Sequence, residues 1–404
     1  MEKVDYNKYA FDRRTPERRK KPNYLKKWGW KILAIGFVIF VGVRMATMET
    51  NLNLITTFSV PEGVSLSEIS RDGVNFAVVI DGKAVLKATD EKVQPTASTT
   101  KMIAALAVLE KKPIEKGEKG EEIEITNEMY EKWVWYLNHN GSNTKVEIGE
   151  KISEYDALVS MMLASSNNMA DSLAIWAFGS LEEYQKYATE MVKGWGLTKT
   201  TIGAKDASGY DEGTTSTASE LAIVGHKVME HPILSEIVAL KTAEVPVAGE
   251  IKNTNKLLGK ASISGVKTGY IGDASGYCIT SGYKSDEHII TVAVLGEKTR
   301  EKSFSENLAI VEDLQEKLVD QAILKKGEEV GYYESWWTGK IKVKADEDFS
   351  EMNYKDAETG SEILVNTMRV KIGAKEYEVA LDVPEFKRSP GLVDRFLHVF
   401  GWKK

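Results

Sequence analysis

The sequence predicts an α+β protein with a largely antiparallel sheet, followed by a small all-β domain. Two observations predict this fold class. A pair of strands near residue 80 is followed by a mainly helical block, then by more strands and a last helix. That order favours segregated helices and strands over alternating βαβ units. Beyond residues 325–331, apolar and polar residues alternate, which is the pattern of half-buried strands.

The first half of the chain supplies two strands and most of the helices. Residues 76–80 (FAVVI) and 84–86 flank Asp81-Gly82 and predict a tight hairpin. Residues 97–110 are rich in alanine and start with small polar residues, which predicts a helix. The other elements expected here are a short strand at 122–126, helices at 156–164, 169–178, 181–195 and 216–228, and a loop at 203–215.

The second half supplies the rest of the sheet and the β domain. Strands are expected at 263–267, 277–281 and 289–295, and a long helix at 307–324. The β domain (residues 329–388) has no recognisable chemistry, and we interpret it as a spacer or docking module. Its alternating stretches are residues 340–343, 362–365, 368–372 and 377–381.

Composition and charge bound the function. The 404 residues suit one large domain and a smaller one. The single cysteine, Cys278, excludes an intrachain disulfide and a cysteine-based metal site, and it is best interpreted as a small core residue. Residues 1–31 hold eleven Lys or Arg and four Asp or Glu, a net +7, which leaves −14 for the rest of the chain. An acidic body argues against a nucleic-acid partner.

The N-terminal segment predicts membrane insertion. Residues 32–43 carry no charge, and extension to 28–48 gives 21 residues, enough to span a bilayer. We interpret residues 1–31 as a basic cytoplasmic tail, 32–48 as an uncleaved single-pass anchor and 49–70 as a connector, with the rest exported. A cleaved signal peptide and a buried helix of a soluble protein are the alternatives.

Ser98-Thr99-Thr100-Lys101 is the first candidate for chemistry. On a helix, residues three apart share a face, so the hydroxyl of Ser98 and the amine of Lys101 are neighbours. Serine needs a base to become a nucleophile, and lysine becomes a base when burial or a nearby cation lowers its pKa. Alone, this spacing is common in capped helices that have no catalytic role.

Two later motifs strengthen the candidate. Ser165-Ser166-Asn167 follows an apolar helix, and Lys267-Thr268-Gly269 ends a predicted strand. The order S-x-x-K, S-x-N, K-T-G is the set used by penicillin-binding proteins and class A β-lactamases.

Over residues 76–324 the sequence resembles the low-molecular-mass penicillin-binding proteins that act as serine D-Ala-D-Ala carboxypeptidases, peptidase family S11. Further stretches carry the resemblance: 95–101 (PTASTTK), 196–201 (GLTKTT), Ser208-Gly209, 216–222 (STASELA) and 265–270 (GVKTGY). The resemblance implies a penicillin-binding/serine β-lactamase-like domain at 71–328, with an antiparallel sheet and a helical subdomain. It also implies peptidoglycan stem peptides as substrate, β-lactams as covalent inhibitors and no cofactor or metal.

The motif residues then receive roles. Ser98 would attack the penultimate D-Ala carbonyl, and Lys101 would be the general base, kept neutral with help from Lys267. Ser165 would relay a proton to the leaving nitrogen, while Asn167 would orient Lys101 and bind a substrate amide. Lys267 and Thr268 would bind the terminal carboxylate. Gly269 would allow close approach of a ligand, and the backbone amides of Ser98 and Tyr270 would hold the oxyanion.

The sequence leaves rivals open. A D,D-endopeptidase would use the same residues, a β-lactamase would need a deacylating acid that residues 198–215 do not clearly provide, and an inactive scaffold would have lost the activity. No histidine cluster supports a zinc peptidase. The centre of the second motif, Ser166, stands where the family usually has glycine, and 271–278 is about one residue longer than usual, which could alter substrate fit.

The C-terminal residues 389–404 contain a short amphipathic helix. Residues 392–400 place six apolar side chains on one face. We expect this helix either to lie on the outer membrane surface, as it often does in the family, or to cap the β domain.

Overall fold

The computed structural model describes residues 24–402 except 90, 286 and 356, with side chains from Trp28 onward. Most of the predicted basic tail, residues 1–23, lies outside this range. The described chain divides into two compact units. The catalytic unit contains Phe58–Glu328 and Ala345–Leu381, and the second unit contains the described residues up to Thr57, Glu329–Lys344, and those from Asp382 onward.

Helices and strands alternate along the chain in a mixed order. The α-helices are α1 (Tyr24–Ala46), α2 (Lys101–Lys111), α3 (Asn127–Asn138), α4 (Glu154–Leu163), α5 (Asn167–Phe178), α6 (Leu181–Gly194), α7 (Ala218–Glu230), α8 (Pro232–Ala239), α9 (Arg300–Lys317) and α10 (Leu392–Val399). Short 3₁₀ helices cover Ser67–Ile69 and Ala97–Thr100. The strands are β1 (Asn53–Thr56), β2 (Asn75–Ile80), β3 (Lys83–Lys87), β4 (Gln94–Pro95), β5 (Glu122–Glu124), β6 (Lys151–Ser153), β7 (Thr215–Ser216), β8 (Thr242–Val245), β9 (Gly249–Lys252), β10 (Gly265–Tyr270), β11 (Tyr277–Ser285), β12 (His288–Glu297), β13 (Asp320–Leu324), β14 (Glu329–Ser335), β15 (Gly339–Ala345), β16 (Phe349–Met352), β17 (Thr359–Ile363), β18 (Thr367–Ile372) and β19 (Lys375–Asp382).

A five-stranded antiparallel sheet, in the order β10-β11-β12-β2-β3, is the centre of the catalytic unit. Alternate residues of a strand face opposite sides of a sheet, and here both sides are covered. Ala77 and Val79 of β2 face a core built with α2, α4, α5 and α7. Phe76, Val78 and Ile80 face a second core that includes apolar residues of α9. The sheet is therefore a layer between two groups of helices, with β10 at one edge.

The α+β class and the penicillin-binding-like catalytic fold are confirmed. Two helices and a hairpin were missed: α3, α8, and β8 with β9. In α3, Thr126 accepts a hydrogen bond from the Met129 amide and so caps the helix. Its mixed, charged surface gave a weak apolar pattern in the sequence.

The helix expected at 307–324 is wrong at both ends. α9 begins at Arg300 because the Thr299 side chain accepts a hydrogen bond from the Lys302 amide. It ends at Lys317, and Asp320–Leu324 is strand β13, which pairs antiparallel with β16. Local pattern could not reveal this strand, because its partner lies about thirty residues further along the chain.

The β domain expected at 329–388 is distributed between the two units. In the second unit, β14 pairs with β15 and with β1, a strand inside the predicted connector. In the catalytic unit, β16 pairs with β13, while β17, β18 and β19 form a meander. Pairing with strands distant in sequence, rather than with neighbours, explains why the compact units differ from the predicted boundaries at 328/329 and 388/389.

Two helices of the second unit contact each other. In α1, Trp28–Ala46 is long and apolar enough to cross a membrane, with a mean hydropathy of 1.7, although such a helix also fits a signal sequence. Phe400, at the end of α10, packs against Phe37 of α1 with ring centroids 6.0 Å apart. The Arg395 guanidinium donates to the Met45 carbonyl at 3.1 Å. The C-terminal helix therefore packs on α1.

Candidate active site

Ser98 is the accessible residue in a buried wall. From Thr96 to Leu109 every other residue is buried, and Ser98 is half-buried. It lies in the 3₁₀ turn Ala97–Thr100 that leads into α2. Ser98 lines a cavity of about 400 Å³ together with Ser165, Thr268, Gly269 and others. The apolar, alanine-rich face of α2 thus buries its own backbone and presents one hydroxyl to the cavity.

The Lys101 amine lies directly behind Ser98. It donates to Ser98 Oγ at 2.8 Å, to Asn167 Oδ1 at 2.7 Å and to the Ser208 carbonyl at 2.8 Å. All three acceptors are uncharged, and the Lys101 side chain is fully buried. Burial disfavours the ammonium form. It lowers the pKa of Lys101 to about 7, against the attraction of the more distant Asp206 and Asp171.

Asn167 is held at the start of α5. Ser166 caps this helix, since its side chain accepts from the Met169 amide, and the Asn167 amide donates to the Ser142 carbonyl at 2.7 Å. Just before the helix, Ser165 adopts a left-handed φ of 60°. This conformation is costly for a residue other than glycine and often marks a functional site. The turn directs the Ser165 and Asn167 side chains to the two lysines of the site.

Lys267 lies on edge strand β10 and bonds to the second motif. Its amine donates to Ser165 Oγ at 2.9 Å and to the Thr268 carbonyl at 3.1 Å, and its side chain is 1% exposed. Burial, followed by the neighbouring charge of Lys101, lowers the pKa of Lys267 well below its usual value. We expected repulsion from Lys267 to keep Lys101 neutral. Burial is instead the main cause at Lys101, because its amine is fully enclosed.

Strand β10 passes directly over Ser98. A Cβ atom built on Gly269 would lie 3.0 Å from the Ser98 backbone nitrogen and 3.1 Å from the Thr96 carbonyl oxygen. Glycine is thus required by close packing of two backbones. Tyr270 follows, 47% exposed, with its ring stacked on Tyr277 at 4.2 Å. The outer edge of β10 remains beside the nucleophile.

The structure therefore brings all eight predicted site residues together in two layers. Ser98, Ser165, Thr268, Gly269 and Tyr270 line the cavity. Lys101, Asn167 and Lys267 lie behind it and are buried. A neutral amine beside a hydroxyl, a second amine–hydroxyl pair and a strand edge can together support acyl transfer through serine.

Other contributors escaped the motif search. The carbonyl of Ser208 accepts from Lys101 through its backbone, which no side-chain pattern reveals. Asp206 holds that loop, since its carboxylate accepts from the amides of Ser208, Tyr210 and Asp211. Thr254 Oγ1 lies 2.8 Å from Thr268 Oγ1. These residues are distant in sequence and meet only in the fold.

Three cations line the cavity: Lys252, Lys256 and Arg300. Arg300 also lies over the Tyr277 ring at 5.8 Å. In the described part of the chain, no group of three or more His, Cys, Asp or Glu residues is arranged to hold a metal ion. The cavity thus presents positive charge and hydroxyl groups to a ligand.

Comparison with known proteins agrees with this geometry. A sequence model described as D-alanyl-D-alanine carboxypeptidase, peptidase family S11, matches residues 73–299. D-alanyl-D-alanine carboxypeptidase DacF of Bacillus subtilis is 26% identical over 271 residues, which cover 65% of each chain, just under two thirds of that relative. D-alanyl-D-alanine endopeptidase of Pseudomonas aeruginosa is 27% identical over 61% of this chain and 84% of its own length.

One solved structure is similar in fold. The crystal structure of the peptidoglycan synthesis regulatory factor PBP3 of Streptococcus pneumoniae superposes with a TM-score of 0.62 at 16% identity, covering 77% of this chain and 98% of that one. Since the family model matches more than half of the chain and spans every residue of the cavity wall argued above up to Thr299, this protein belongs to the D-alanyl-D-alanine carboxypeptidase family, peptidase S11.

Proposed function

We propose that this protein is a serine D-Ala-D-Ala carboxypeptidase that removes the terminal D-Ala of peptidoglycan pentapeptides through an acyl-enzyme on Ser98. The observation that carries the proposal is the Lys101 amine, 2.8 Å from Ser98 Oγ, buried and surrounded by neutral acceptors. A pKa of about 7 leaves a large share of this amine unprotonated at neutral pH, as a general base requires.

Acylation begins when Lys101 accepts the Ser98 proton and Ser98 Oγ attacks the carbonyl carbon of the penultimate D-Ala. The negative charge on the carbonyl oxygen is held by the backbone amides of Ser98 and Tyr270. The close approach of Gly269 to the Ser98 nitrogen supports this pairing, because it brings the two backbones together. One such donor is worth about 10²–10³ in rate.

The leaving nitrogen needs a proton when the amide bond breaks. Ser165 Oγ accepts from Lys267 and can donate onward, since a hydroxyl does both. Ser165 supplies the proton, and Lys267 supports it from behind. Water, deprotonated by Lys101, then releases the peptide from Ser98 and restores the enzyme.

The terminal carboxylate binds at the Thr268 end of the cavity. Thr268 is the hydroxyl there, and Lys252, Lys256 and Arg300 provide positive charge. The peptide itself lies along the outer edge of β10, where an extended chain can add as a strand. Penicillins carry a reactive carbonyl and a carboxylate, so they acylate the same serine.

Asp206 does not support the β-lactamase alternative. A deacylating acid must be free to activate water, but this carboxylate already accepts from three backbone amides and the Ser208 hydroxyl. Penicillin is therefore expected to remain bound as a stable acyl-enzyme rather than to be turned over.

We also propose that α1 anchors the protein as a single pass, with the catalytic unit outside the cytoplasm. The apolar span Trp28–Ala46 and the basic residues before it support this topology. The α10 helix, which packs on α1 through Phe400, adds apolar surface to the same anchor. A cysteine-accessibility assay in intact cells tests the topology: catalytic-unit positions are labelled from outside, whereas labelling only after lysis contradicts it.

The reaction is tested by mass spectrometry of a muropeptide pentapeptide incubated with the full chain. We expect loss of one D-Ala, abolished in Ser98→Ala. A fluorescent penicillin should label the parent chain and not the variant. Absence of a covalent adduct on Ser98 would exclude every acyl-enzyme function, and rapid hydrolysis of the penicillin would favour a β-lactamase.

A further inference from the structure

The catalytic cavity continues beyond Thr268 into a second cavity. The second cavity has a volume of about 240 Å³ and shares Lys252, Asn253 and Lys256 with the first. It extends to Lys241 and Thr242 on the hairpin that precedes β10. We call the shared residues and this extension the leaving-side groove.

The groove is positively charged. Lys241, Lys252 and Lys256 are exposed and line it, and among the described lining residues of both cavities there is no Asp or Glu. Lys252 has Glu250 at 3.2 Å, whereas Lys241 and Lys256 have no carboxylate within ion-pair distance among the described residues. Outside its basic tail the chain has a net charge of −14, so this concentration of cations produces a local field of opposite sign.

The position of the groove indicates which part of a substrate reaches it. Thr254, between two of the lysines, contacts the Thr268 hydroxyl at 2.8 Å. Thr268 is the residue to which we assign the carboxylate of the departing residue. The groove thus begins where a free D-Ala would end. A single D-Ala fills only the space beside Thr268 and does not need an extension to Lys241.

We propose that the leaving-side groove binds a second carboxylate on the leaving group, so that the enzyme prefers amide bonds whose departing amine belongs to an acidic D-amino acid or acidic peptide. This inference rests on the proposed function. The chemistry is unchanged: the D-Ala carbonyl–nitrogen bond breaks, the acyl group passes to Ser98 and then to water, and the departing amine takes the proton.

The test compares three substrates with one acyl group: acyl-D-Ala-D-Ala, acyl-D-Ala-D-Glu and acyl-D-Ala-D-Gln. D-Gln has the shape of D-Glu without its charge. We expect kcat/KM for D-Glu to exceed that for D-Gln by about tenfold, because several exposed lysines each contribute a few-fold. The ratio should fall toward one as the salt concentration rises to about 1 M.

Variants of the exposed Lys241 identify the source of the preference. Lys241→Gln should reduce the D-Glu to D-Gln ratio about threefold, and Lys241→Glu should bring it to one or below. Lys260→Gln and Lys260→Glu make the same charge changes at an exposed lysine that lines neither cavity, so these controls should retain the parent ratio. The thermal midpoint checks that each variant is folded.

Two failures are distinguishable. If the parent protein releases D-Ala but shows no preference for D-Glu over D-Gln, or if the Lys260 variants lose the preference as much as the Lys241 variants do, the groove has no such role. If the parent protein releases nothing from any substrate and forms no penicillin adduct, the proposed function itself is wrong.

Discussion

Two regions of the catalytic unit bury a basic side chain with opposite results. Lys101 is surrounded by uncharged oxygen atoms, and its pKa falls to about 7. His288, at the start of β12, donates from Nδ1 to Asp81 at 2.6 Å and from Nε2 to Glu351 at 2.8 Å. Burial opposes the charge of His288, but the hydrogen bonds to these two carboxylates outweigh it and raise its pKa.

The comparison shows that partners, not burial alone, determine the charge of a buried base. Neutral acceptors leave desolvation unopposed and give an amine that can accept a proton. Carboxylates on both ring nitrogens give an imidazolium that joins the β2–β3 turn to strand β16. The first arrangement serves chemistry and the second serves structure.

The largest expected effect comes from removing the base. Lys101→Met keeps the length and apolar stem of the side chain but cannot accept the Ser98 proton. We expect the rate of penicillin acylation to fall about 10³-fold, measured by stopped-flow fluorescence. In the parent protein the rate should rise with pH, be half-maximal near pH 7, where Lys101 loses its proton, and then level off. A pH-independent rate would contradict a base role for Lys101.

The second effect converts one environment into the other. Asn167→Asp places a carboxylate where Lys101 now donates to a neutral amide oxygen at 2.7 Å. An opposite charge at this distance raises the pKa of an amine by about one to three units. Acylation at pH 7 should therefore fall about 50-fold and recover at alkaline pH. Equal loss at every pH would instead indicate disturbed packing, so the pH profile is the deciding measurement.

The smallest effect on activity comes from the histidine cluster. His288→Leu leaves Asp81 and Glu351 without their shared donor, at a cost of about 2–4 kcal/mol in unfolding free energy, measured by chemical denaturation. Lys375 and Tyr377 also face this cluster, as a nearby cation and a hydrogen-bond donor to Glu351. Penicillin acylation well below the melting temperature should change less than twofold, since the cluster does not line the cavity.

The pH dependence of this stability follows from the signs of the shifts. The raised pKa of His288 contributes stability that is complete below its ordinary value of 6.5 and is lost as pH rises through the folded-state pKa. The lowered pKa values of Asp81 and Glu351 contribute above 3.8 and 4.5 and are lost as pH falls below them. The difference between parent and His288→Leu should be greatest between about pH 4.5 and 6.5. A difference that does not vary with pH would exclude an ionic role.

The sequence predicted the active site better than the β-rich region for a physical reason. Ser98 and Lys101 share a helical turn, so their spacing alone places them together. Ser208, Thr254 and Glu351 act through contacts with residues far away in the chain, which no local pattern encodes. Strand β13 was taken for helix because its apolar residues suit both, and only pairing with β16 decides between them.

The burial of Lys101 and Lys267 has a chemical consequence for the lifetime of the enzyme. Neutral amines are stronger nucleophiles than a hydroxyl, and an acyl group that moved from Ser98 to either nitrogen would form an amide that water does not release. Both side chains are 1% exposed or less, whereas Ser98 is open to the cavity. An electrophile therefore reaches only the oxygen, which gives one label per chain and protects the catalyst from acylating its own base.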